Sequence, residues 1–357
     1  MYVKPWIKDI VRIGGRQGRA GYLRLDMNEN PGGLPVKLVE EVKKELTPKY
    51  LATYPEESRM MKLLADYLSG ESGVSVTEDN LCLTNGSDLA IRYLYEVFAE
   101  TGSTVVTVAP SFEMYRIYGQ VFGLKHRPVT LGEDGSIPVE QVLEAIREDT
   151  DLVVLLNPNN PIGRAYTVAE FEAIADKAAS VGALVIVDEA YHYFYRTTFM
   201  PQALKRDHVV VLRTFSKLMS LAGCRMGFMT ASPRLIEYVR HVRPTFEVNG
   251  VALKLGEKMM EHPELIGEMQ QHAQEGKDYL LDSLKTHGYD TMAEDGNFIF
   301  VRPKHGTAKE TAKKLEDRMV LVKTYGAPML ADYLRVSTGE QPYMKQFLDI
   351  FYEVDGQ

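Results

Sequence analysis

Four short apolar segments, separated by stretches with helical spacing, constrain the fold of this chain more than any other feature. Each is a nearly continuous run of Val, Leu, Ile or Ala. The segments are residues 104–108, 152–156, 183–187 and 209–212. Strands this apolar are typical of a parallel sheet that is buried on both faces and connected by helices. The sequence therefore predicts an α/β fold whose large domain contains a mainly parallel sheet flanked by helices.

Further helices and strands are predicted on either side of these segments from the spacing of apolar residues. The strands are expected at residues 81–84, 297–301, 320–323 and 334–337, and the helices at 36–46, 60–68, 89–99, 248–284 and 308–319. Only His262-Pro263 interrupts the longest helical stretch. We therefore expect an N-terminal arm (1–30), a large domain (31–245) and a smaller α+β domain (246–357) that includes part of the arm.

The composition favours small-molecule chemistry. The chain has 41 Lys and Arg against 49 Asp and Glu, a formal net charge of −8, which argues against nonspecific binding to nucleic acid or an anionic membrane surface. No apolar stretch approaches the ~18 residues of a membrane span. The two cysteines, Cys82 and Cys224, have no disulfide or zinc spacing, and the histidines lack metal-binding spacing. We expect a soluble cytoplasmic protein without a metal site.

Lys217 lies in a polar segment directly after the last of the four apolar runs. A lysine that is partly desolvated beside another cation has a depressed pKa and can form a Schiff base with an aldehyde. Thr214 and Ser216 offer hydroxyl groups, and the planar guanidinium of Arg225 suits a phosphate. An aldehyde that carries a phosphate indicates pyridoxal phosphate. A surface turn with a solvated lysine is the alternative that this segment alone leaves open.

The other strand ends also carry polar residues. Asp188 follows a buried strand, where a carboxylate is costly unless a positive group meets it, and a protonated pyridine nitrogen or a structural salt bridge would do so. Tyr191 could then reach the phenolic oxygen of the same ring. Asn160 lies in a loop with two prolines, where the isomer of the Asn160-Pro161 bond is open. Ligands of parallel sheets bind at this edge.

Three further groups are weaker candidates when each is taken alone. Gly86, Ser87 and Asp88 join a strand to a helix whose free N–H groups favour phosphate, although an ordinary N-cap explains the same residues. Phe112 could stack on a flat ring or pack in the core. Arg335 could hold a carboxylate through two hydrogen bonds, or be a surface charge.

Taken in order, these motifs resemble the fold-type I pyridoxal-phosphate aminotransferases across nearly the whole chain. The matching motifs are Asn160-Pro-x-Gly163, Asp188-x-x-Tyr191, Ser216-Lys217 and Arg225. Within that group the chain is most similar to the histidinol-phosphate aminotransferases. The motifs that carry this second resemblance are Asn28-Glu-Asn-Pro31, Tyr54-Pro55, Asn85-Gly-Ser-Asp88 and Leu334-Arg-Val-Ser-Thr-Gly339.

The resemblance implies a role for each candidate residue. Lys217 would hold the cofactor as a Schiff base and move the substrate's Cα proton, while Asp188 pairs with the pyridine nitrogen. Asn160 and Tyr191 would bind the ring oxygen, and Phe112 would stack on the ring. The residues implied around the phosphate are Gly86, Ser87, Asp88, Thr214, Ser216, Arg225 and, from a neighbouring subunit, Tyr54. Those implied for the substrate are Arg335, Asn30, Lys323 and Trp6.

Three positions depart from the family pattern. Phe112 stands where the family usually has tyrosine, and Lys323 stands where it usually has an arginine that grips the substrate's phosphate. Lysine is a point charge without the planar fork of arginine. Trp6 replaces an N-terminal tyrosine and cannot accept a hydrogen bond. The resemblance therefore specifies the reaction class more firmly than the substrate.

The activity implied is that of a pyridoxal-phosphate-dependent transaminase of amino-acid biosynthesis, namely histidine biosynthesis. It would move an amino group between histidinol phosphate, or a related amino acid or amino alcohol, and a 2-oxo acid such as 2-oxoglutarate. Active sites completed by a second chain imply a homodimer. A decarboxylase of the threonine-phosphate decarboxylase type and a non-catalytic binding module are the alternatives.

Overall fold

The computed structural model describes residues 1–11, 15–195 and 197–356 of the chain. The α-helices are α1 (Val36–Glu45), α2 (Pro48–Leu51), α3 (Ser58–Ser72), α4 (Ser87–Phe98), α5 (Met114–Phe122), α6 (Val139–Ala145), α7 (Val168–Val181), α8 (Met200–Ala203), α9 (Pro233–Val242), α10 (Gly250–Glu261), α11 (Pro263–Thr286), α12 (Ala308–Asp317) and α13 (Gln341–Asp355). The β-strands are β1 (Leu23–Arg24), β2 (Leu81–Thr84), β3 (Thr104–Ala109), β4 (Lys125–Thr130), β5 (Thr150–Leu156), β6 (Leu184–Asp188), β7 (Val209–Thr214), β8 (Gly227–Thr230), β9 (Thr291–Met292), β10 (Phe298–Val301), β11 (Val320–Leu321) and β12 (Leu334–Ser337).

The largest sheet has seven strands in the order β2-β8-β7-β6-β5-β3-β4. Strand β8 runs antiparallel to both of its neighbours, and the other six strands are parallel to one another. The carboxyl ends of β5, β6 and β7 therefore lie side by side, with Leu156 paired to Asp188 and Asp188 to Leu212. The prediction of a mainly parallel sheet is confirmed.

The sequence did not predict β4, which forms one edge of this sheet. Its residues are Lys-His-Arg-Pro-Val-Thr, and all but Val129 are partly or fully exposed. Pro128 lacks an N–H donor, and edge strands tolerate proline because one side makes no ladder hydrogen bonds. The apolar periodicity that identifies central strands is therefore absent from β4.

Helices cover both faces of the seven-stranded sheet and enclose its apolar side chains. Local sequence signals set several of their ends. At the start of α7, for example, the side chain of Thr167 accepts a hydrogen bond from the backbone of Glu170, and the Glu170 carboxylate accepts one from the backbone of Thr167. This capping box satisfies two backbone donors that the first turn of a helix leaves free.

A second, smaller assembly contains the antiparallel sheet β9-β10-β12 and the parallel pair β1-β11. Its apolar core is separate from the others and includes Leu25 of the arm, Ile299 of β10 and Phe347 of α13. Helix α10 instead packs with α3 in the core of the large sheet, and α11 contributes to both cores. The domain limits at residues 30 and 245 remain a proposal, in which α11 joins the two units.

The structure also shows the state of the two cysteines and the character of the helices. Cys82 is buried, Cys224 is half-buried, and both are free thiols. Among the residues that the structure describes, none of the helices combines the length and the apolar character needed to cross a membrane.

Candidate active site

Polar side chains from several elements meet at the carboxyl edge of the seven-stranded sheet. The loops after β5, β6 and β7 contribute Asn160, Tyr191 and Lys217, and β12 of the small assembly contributes Arg335. The arm segment at residues 26–30 is hydrogen-bonded to three of them, Tyr191, Lys217 and Arg335, as described below. The sequence predicted three of these contributions from strand ends, since ligand sites form where parallel strands stop.

Lys217 lies in the loop after β7 and is only partly exposed. Its Nζ donates a hydrogen bond to the carbonyl oxygen of Met27 at 3.0 Å and is 5.7 Å from the centre of the Tyr191 ring. Burial, reinforced by the positive charge of Arg335, lowers the pKa of Lys217 to about 8. Roughly a tenth of this amine is therefore uncharged, and nucleophilic, at pH 7, far more than for an ordinary lysine.

Asp188 is the last residue of β6, and only 2% of its surface is exposed. Its Oδ2 accepts a hydrogen bond from the hydroxyl of Tyr115 at 2.8 Å, and its Oδ1 accepts one from the backbone N–H of Ala190 at 3.0 Å. Burial raises the pKa of Asp188 to about 6, although both hydrogen bonds oppose that rise. None of the ion pairs among the described residues involves Asp188, so the salt-bridge alternative is wrong.

The hydroxyl of Tyr191 accepts two hydrogen bonds at 3.0 Å, from Nδ2 of Asn160 and from Nδ2 of Asn28. A phenolic oxygen has two lone pairs, so its own proton is left for a third partner in the pocket. Asn28 is buried, has a φ of 58°, and is held through its Oδ1 by the hydroxyl of Ser337. Tyr191 is thus fixed from both assemblies, and burial raises its pKa to about 12.

Arg335 is 4% exposed, and its guanidinium faces the same pocket. It donates hydrogen bonds to Oδ1 of Asn160 at 2.8 Å, to the hydroxyl of Tyr325 at 2.7 Å and to the carbonyl oxygen of Asp26 at 2.6 Å. Lys323 forms an antiparallel bridge with Arg335, with mutual backbone hydrogen bonds of 3.0 and 2.8 Å. Residues paired in this way have side chains on the same face, so the exposed Lys323 adds a second cation beside Arg335.

The turn between β2 and α4 lies against Arg225. Gly86 has a φ of 80°, and a Cβ built on it would be 2.6 Å from Nη2 of Arg225, so only glycine fits here without displacing the guanidinium. Arg225 also has a left-handed backbone, with a φ of 55°, and its Nη1 is 3.4 Å from Oγ of Ser216. Ser216 and Thr214 are both buried beside this turn. Ser87 and Asp88 begin α4, so a helix N-terminus, a guanidinium and hydroxyl groups surround one point.

Two candidates that the resemblance implied contact the pocket only at its margin. Asn30 donates from Nδ2 to Oγ of Ser220 at 2.8 Å, in the loop that carries Lys217. Phe112 is 38% exposed and makes an edge contact with the ring of Tyr115, with ring centres 5.7 Å apart. Asn30 therefore contacts the loop that carries Lys217, and Phe112 contacts the tyrosine that is hydrogen-bonded to Asp188.

Trp6 and Tyr54 are not brought to the pocket of their own chain. The indole of Trp6 donates a hydrogen bond to the carbonyl oxygen of Val121 at 3.1 Å and packs over Gly123. Gly123 precedes β4, so Trp6 lies at the amino-terminal edge of the sheet, opposite the pocket; the predicted substrate contact of Trp6 is not found within one chain. Tyr54 is 74% exposed and stacks on Phe246 with ring centres 4.5 Å apart.

Sequence reasoning missed three residues that hold the predicted ones in place. Tyr115 is hydrogen-bonded to Asp188, Asn28 to Tyr191, and Tyr325 to Arg335. Asn28 belongs to a quoted motif and could have been assigned with it. No sequence signal marks Tyr115 or Tyr325, because each meets its partner only through tertiary packing.

Comparison with known proteins agrees with this geometry. Residues 20–351 match the family model described as aminotransferase class I and II. Histidinol-phosphate aminotransferase 2 of Nitrosococcus oceani is 33% identical over 97% of this chain and 96% of its own length. Histidinol-phosphate aminotransferase 1 of Ralstonia nicotianae is 32% identical over 97% and 93%. The crystal structure of histidinol-phosphate aminotransferase from Sinorhizobium meliloti in complex with pyridoxal-5'-phosphate superposes with a TM-score of 0.86, at 20% identity, over 99% of this chain and 97% of that one.

Proposed function

The chain belongs to the class I and II aminotransferase family, and from this premise we propose that it uses pyridoxal 5'-phosphate to move an amino group from an amino donor to a 2-oxo acid such as 2-oxoglutarate. The observation that carries the proposal is the convergence of Lys217, Asp188 and Arg225 on one edge of the sheet. One group supplies a reactive amine, one a buried carboxylate and one a phosphate-binding cation.

The residues of the pocket fit this cofactor. Asp188 is a buried acid that forms no ion pair with the residues that the structure describes, which suits a protonated ring nitrogen. The free proton of Tyr191 and the amide of Asn160 suit the ring oxygen, and Phe112 suits the ring face. The residues that would hold the phosphate are Gly86, Ser87, Asp88, Thr214, Ser216 and Arg225. When bound, pyridoxal phosphate supplies an aldehyde that takes up the amino group and a ring that withdraws electrons from the reacting carbon.

Lys217 has two tasks in this proposal. Its Nζ would hold the cofactor in the absence of substrate and, once released, would take the proton from Cα of the amino donor and return it to the cofactor's aldehyde-derived carbon. A base whose pKa is near the working pH does this most efficiently, and the pKa of Lys217 is lowered to about 8 by burial and by Arg335. Asp188 would stabilise the protonated pyridine nitrogen of the cofactor through its negative charge.

The substrate side of the pocket supports an amino donor with an anionic end. Arg335 presents a planar guanidinium that suits a carboxylate or phosphate, and Lys323 adds a second cation on the same face. The relatives of about 30% identity are named histidinol-phosphate aminotransferases. We therefore propose histidinol phosphate, or a related amino acid or amino alcohol, as the donor, and a place in histidine biosynthesis.

We also propose a cytoplasmic homodimer in which each chain completes its partner's site. The exposed aromatic pair of Tyr54 and Phe246, which are 74% and 51% exposed, supports this, because two stacked rings in water gain stability when a second surface covers them. Sedimentation of the purified protein, compared with that of Tyr54→Asp, tests the proposal. The variant should shift toward the monomer, and a wild-type protein that sediments as a monomer would refute it.

The activity is tested by fixing the cofactor to the protein. Borohydride treatment of the holoenzyme followed by peptide mass spectrometry should place the cofactor on Lys217. Lys277 is a second partly exposed lysine whose pKa is lowered by burial, and it serves as an internal control that should stay unmodified. Lys217→Ala should take up no covalent cofactor and should lose at least about 10³-fold in transamination rate, within the range for acid–base catalysis. Modification elsewhere, or an active Lys217→Ala, would contradict the assignment.

The reaction type needs a second assay. Amino transfer to 2-oxoglutarate and release of carbon dioxide are measured on the same donors, with and without a phosphate group. Transfer without carbon dioxide supports the aminotransferase. Stoichiometric carbon dioxide release from an amino-acid phosphate would instead favour the decarboxylase alternative.

A further inference from the structure

Tyr115 is a buried tyrosine that neither the sequence motifs nor the family match assigns to the reaction. It is the second residue of α5, and only 1% of its surface is exposed. Its hydroxyl donates a hydrogen bond of 2.8 Å to Oδ2 of Asp188, the residue at the end of β6. A buried hydroxyl in direct contact with the acid that would pair with the cofactor's ring nitrogen is placed to control that acid's charge.

Among the described residues, the carboxylate of Asp188 has two hydrogen-bond partners, and both favour the same ionisation state. The backbone N–H of Ala190 can only donate, and the hydroxyl of Tyr115 donates to the other carboxylate oxygen. Both oxygens therefore act as acceptors, which is the arrangement of an ionised carboxylate. Hydrogen bonds to the charged form stabilise it, whereas burial acts in the opposite direction.

Few other charges reach Asp188. The positive charge of Lys217, from the loop after β7, also favours the ionised form, and the negative charge of Glu189, the next residue in the chain, opposes it. Tyr191, across the pocket, is neutral at physiological pH because burial raises its pKa to about 12. Once the amine of Lys217 is uncharged, the hydroxyl of Tyr115 is the side-chain group in direct contact that offsets burial.

We propose that Tyr115 is a positioning residue that keeps Asp188 ionised, so that the proton between Asp188 and the cofactor's pyridine nitrogen resides on the nitrogen. This inference rests on the proposed function, because it requires the cofactor in the pocket. Without the hydroxyl, the proton would move toward the carboxylate, and the ring would withdraw electrons less effectively.

The chain offers a matched control in Tyr95. This tyrosine is fully buried in the same apolar core, and its hydroxyl has no hydrogen-bond partner among the described residues. Tyr95→Phe and Tyr115→Phe therefore remove the same atom from the same core, and only the second removes a bond to Asp188. Any difference between the two variants reports that bond rather than the loss of a buried hydroxyl.

The experiment is ¹⁵N NMR of both variants loaded with pyridoxal phosphate labelled at the ring nitrogen. We expect a protonated nitrogen in the wild type and Tyr95→Phe, and a signal moved toward the unprotonated position in Tyr115→Phe. The turnover number kcat should fall about 10- to 100-fold in Tyr115→Phe with a much smaller change in KM, the size expected for a hydrogen bond to a charged group. Identical spectra and pH–rate profiles for the two variants would overturn the proposal.

A second substitution covers the case in which Tyr115→Phe fails to fold. Difluorotyrosine incorporated at position 115 keeps the ring and the hydroxyl but is a stronger donor, so at a given pH it should move the ring-nitrogen signal further toward the protonated position, opposite to the shift in Tyr115→Phe. No change, or a change in the opposite direction, refutes the inference. If pyridoxal phosphate does not attach to Lys217 in the wild type, the proposed function itself fails, which is a distinct result.

Discussion

Asp188 and Glu189 are adjacent in the sequence and equally buried, yet their charges are met in opposite ways. Asp188 faces the pocket, and its carboxylate accepts hydrogen bonds from two neutral donors of the described chain, the hydroxyl of Tyr115 and the backbone N–H of Ala190. Glu189 faces the other side, where it accepts hydrogen bonds from Nε of Arg213 at 2.9 Å, from the hydroxyl of Thr198 and from the backbone N–H of Phe199 at 2.7 Å. One acid is left for a ligand, and the other is satisfied by the protein.

The group around Glu189, which we call the Arg213 cluster, consists of Arg213, Glu189, Glu71 and Thr198. Arg213 is fully buried on β7 and also pairs with Glu71. Burial alone would raise the pKa of Glu71, but Arg213 and His192 lower it to about 2. Within this cluster each buried charge has an opposite charge in contact, which is the usual condition for burying ions.

The difference shows how to separate a structural charge from a functional one. Both kinds are costly to bury, but a structural charge is neutralised inside the protein and stabilises the native state only while its partner remains. The desolvation free energy of a functional charge is compensated only in part until a ligand binds. Removing a member of the Arg213 cluster should therefore destabilise the protein, whereas removing the charge of Asp188 should stabilise the cofactor-free form.

The largest effect is expected for Arg213→Met. It leaves the buried Glu189 without its cation and removes a partner of the more accessible Glu71, and breaking a buried pair costs about 3–5 kcal/mol of unfolding free energy. Urea unfolding of the cofactor-free protein measures it. Arg302→Met is the control, because Arg302 pairs with Asp290 and Asp332 at the surface and its loss should matter little. Equal costs for both substitutions would contradict the distinction.

The second prediction concerns Asp188→Asn in the cofactor-free protein at pH 8. The substitution removes an unneutralised buried charge, so the free energy of unfolding should rise by about 1–3 kcal/mol, while transamination is lost. Glu189→Gln is the matched control at the next position and should lower the free energy of unfolding. If Asp188→Asn also destabilises the protein, the carboxylate is compensated in a way that the contacts do not reveal.

The pH dependence of stability should have opposite signs at the two sites. The pKa of Asp188 is raised from 3.8 to about 6, so the native state holds the proton more tightly and loses about 2–3 kcal/mol as pH rises from 4 through 6. The pKa of Glu71 is lowered from 4.5 to about 2, so its contribution is present above pH 4.5 and is lost as pH falls toward 2.

Unfolding curves of the wild type, Asp188→Asn and Glu71→Gln, measured from pH 3 to 8, test these signs. The difference between wild type and Asp188→Asn should appear between pH 4 and 7. The difference between wild type and Glu71→Gln should shrink only below pH 4.5. If both differences, wild type against Asp188→Asn and wild type against Glu71→Gln, changed with pH in the same direction, the proposed distinction between the two carboxylates would be wrong.

The smallest effect is expected for Thr198→Val, which keeps the shape of the side chain. Its hydroxyl donates to Glu189 and accepts from Nη2 of Arg213 at 2.9 Å, so the substitution removes a bridge inside the cluster and should cost about 1–2 kcal/mol. Because Thr198 lies outside the pocket, kcat should stay within about twofold of the wild type. A large drop in kcat without a loss of stability would place the Arg213 cluster in the reaction.

The central strands and the cofactor side of the pocket could be predicted because their signals are local. Each central strand is an apolar run, and Lys217, Asp188 and Asn160 follow directly where a strand ends. Parallel strands must place such residues on one edge. The edge strand β4 was not predicted from the sequence, because its exposed residues show no apolar periodicity and include Pro128.

The amino-acid sequence by itself determined the mainly parallel sheet, the polar edge and the reactive lysine, because repeating patterns and chain order are enough to place them. Tertiary structure alone decided which buried charges are paired. The Asp188-x-x-Tyr191 motif singled out Asp188 through a resemblance, but no local signal shows which of the two neighbouring acids is paired inside the protein. The packing of Tyr115 on one side and Arg213 on the other decides that. The physical reason is that the energy of a buried charge depends on atoms within a few ångströms, and those atoms come from distant parts of the chain.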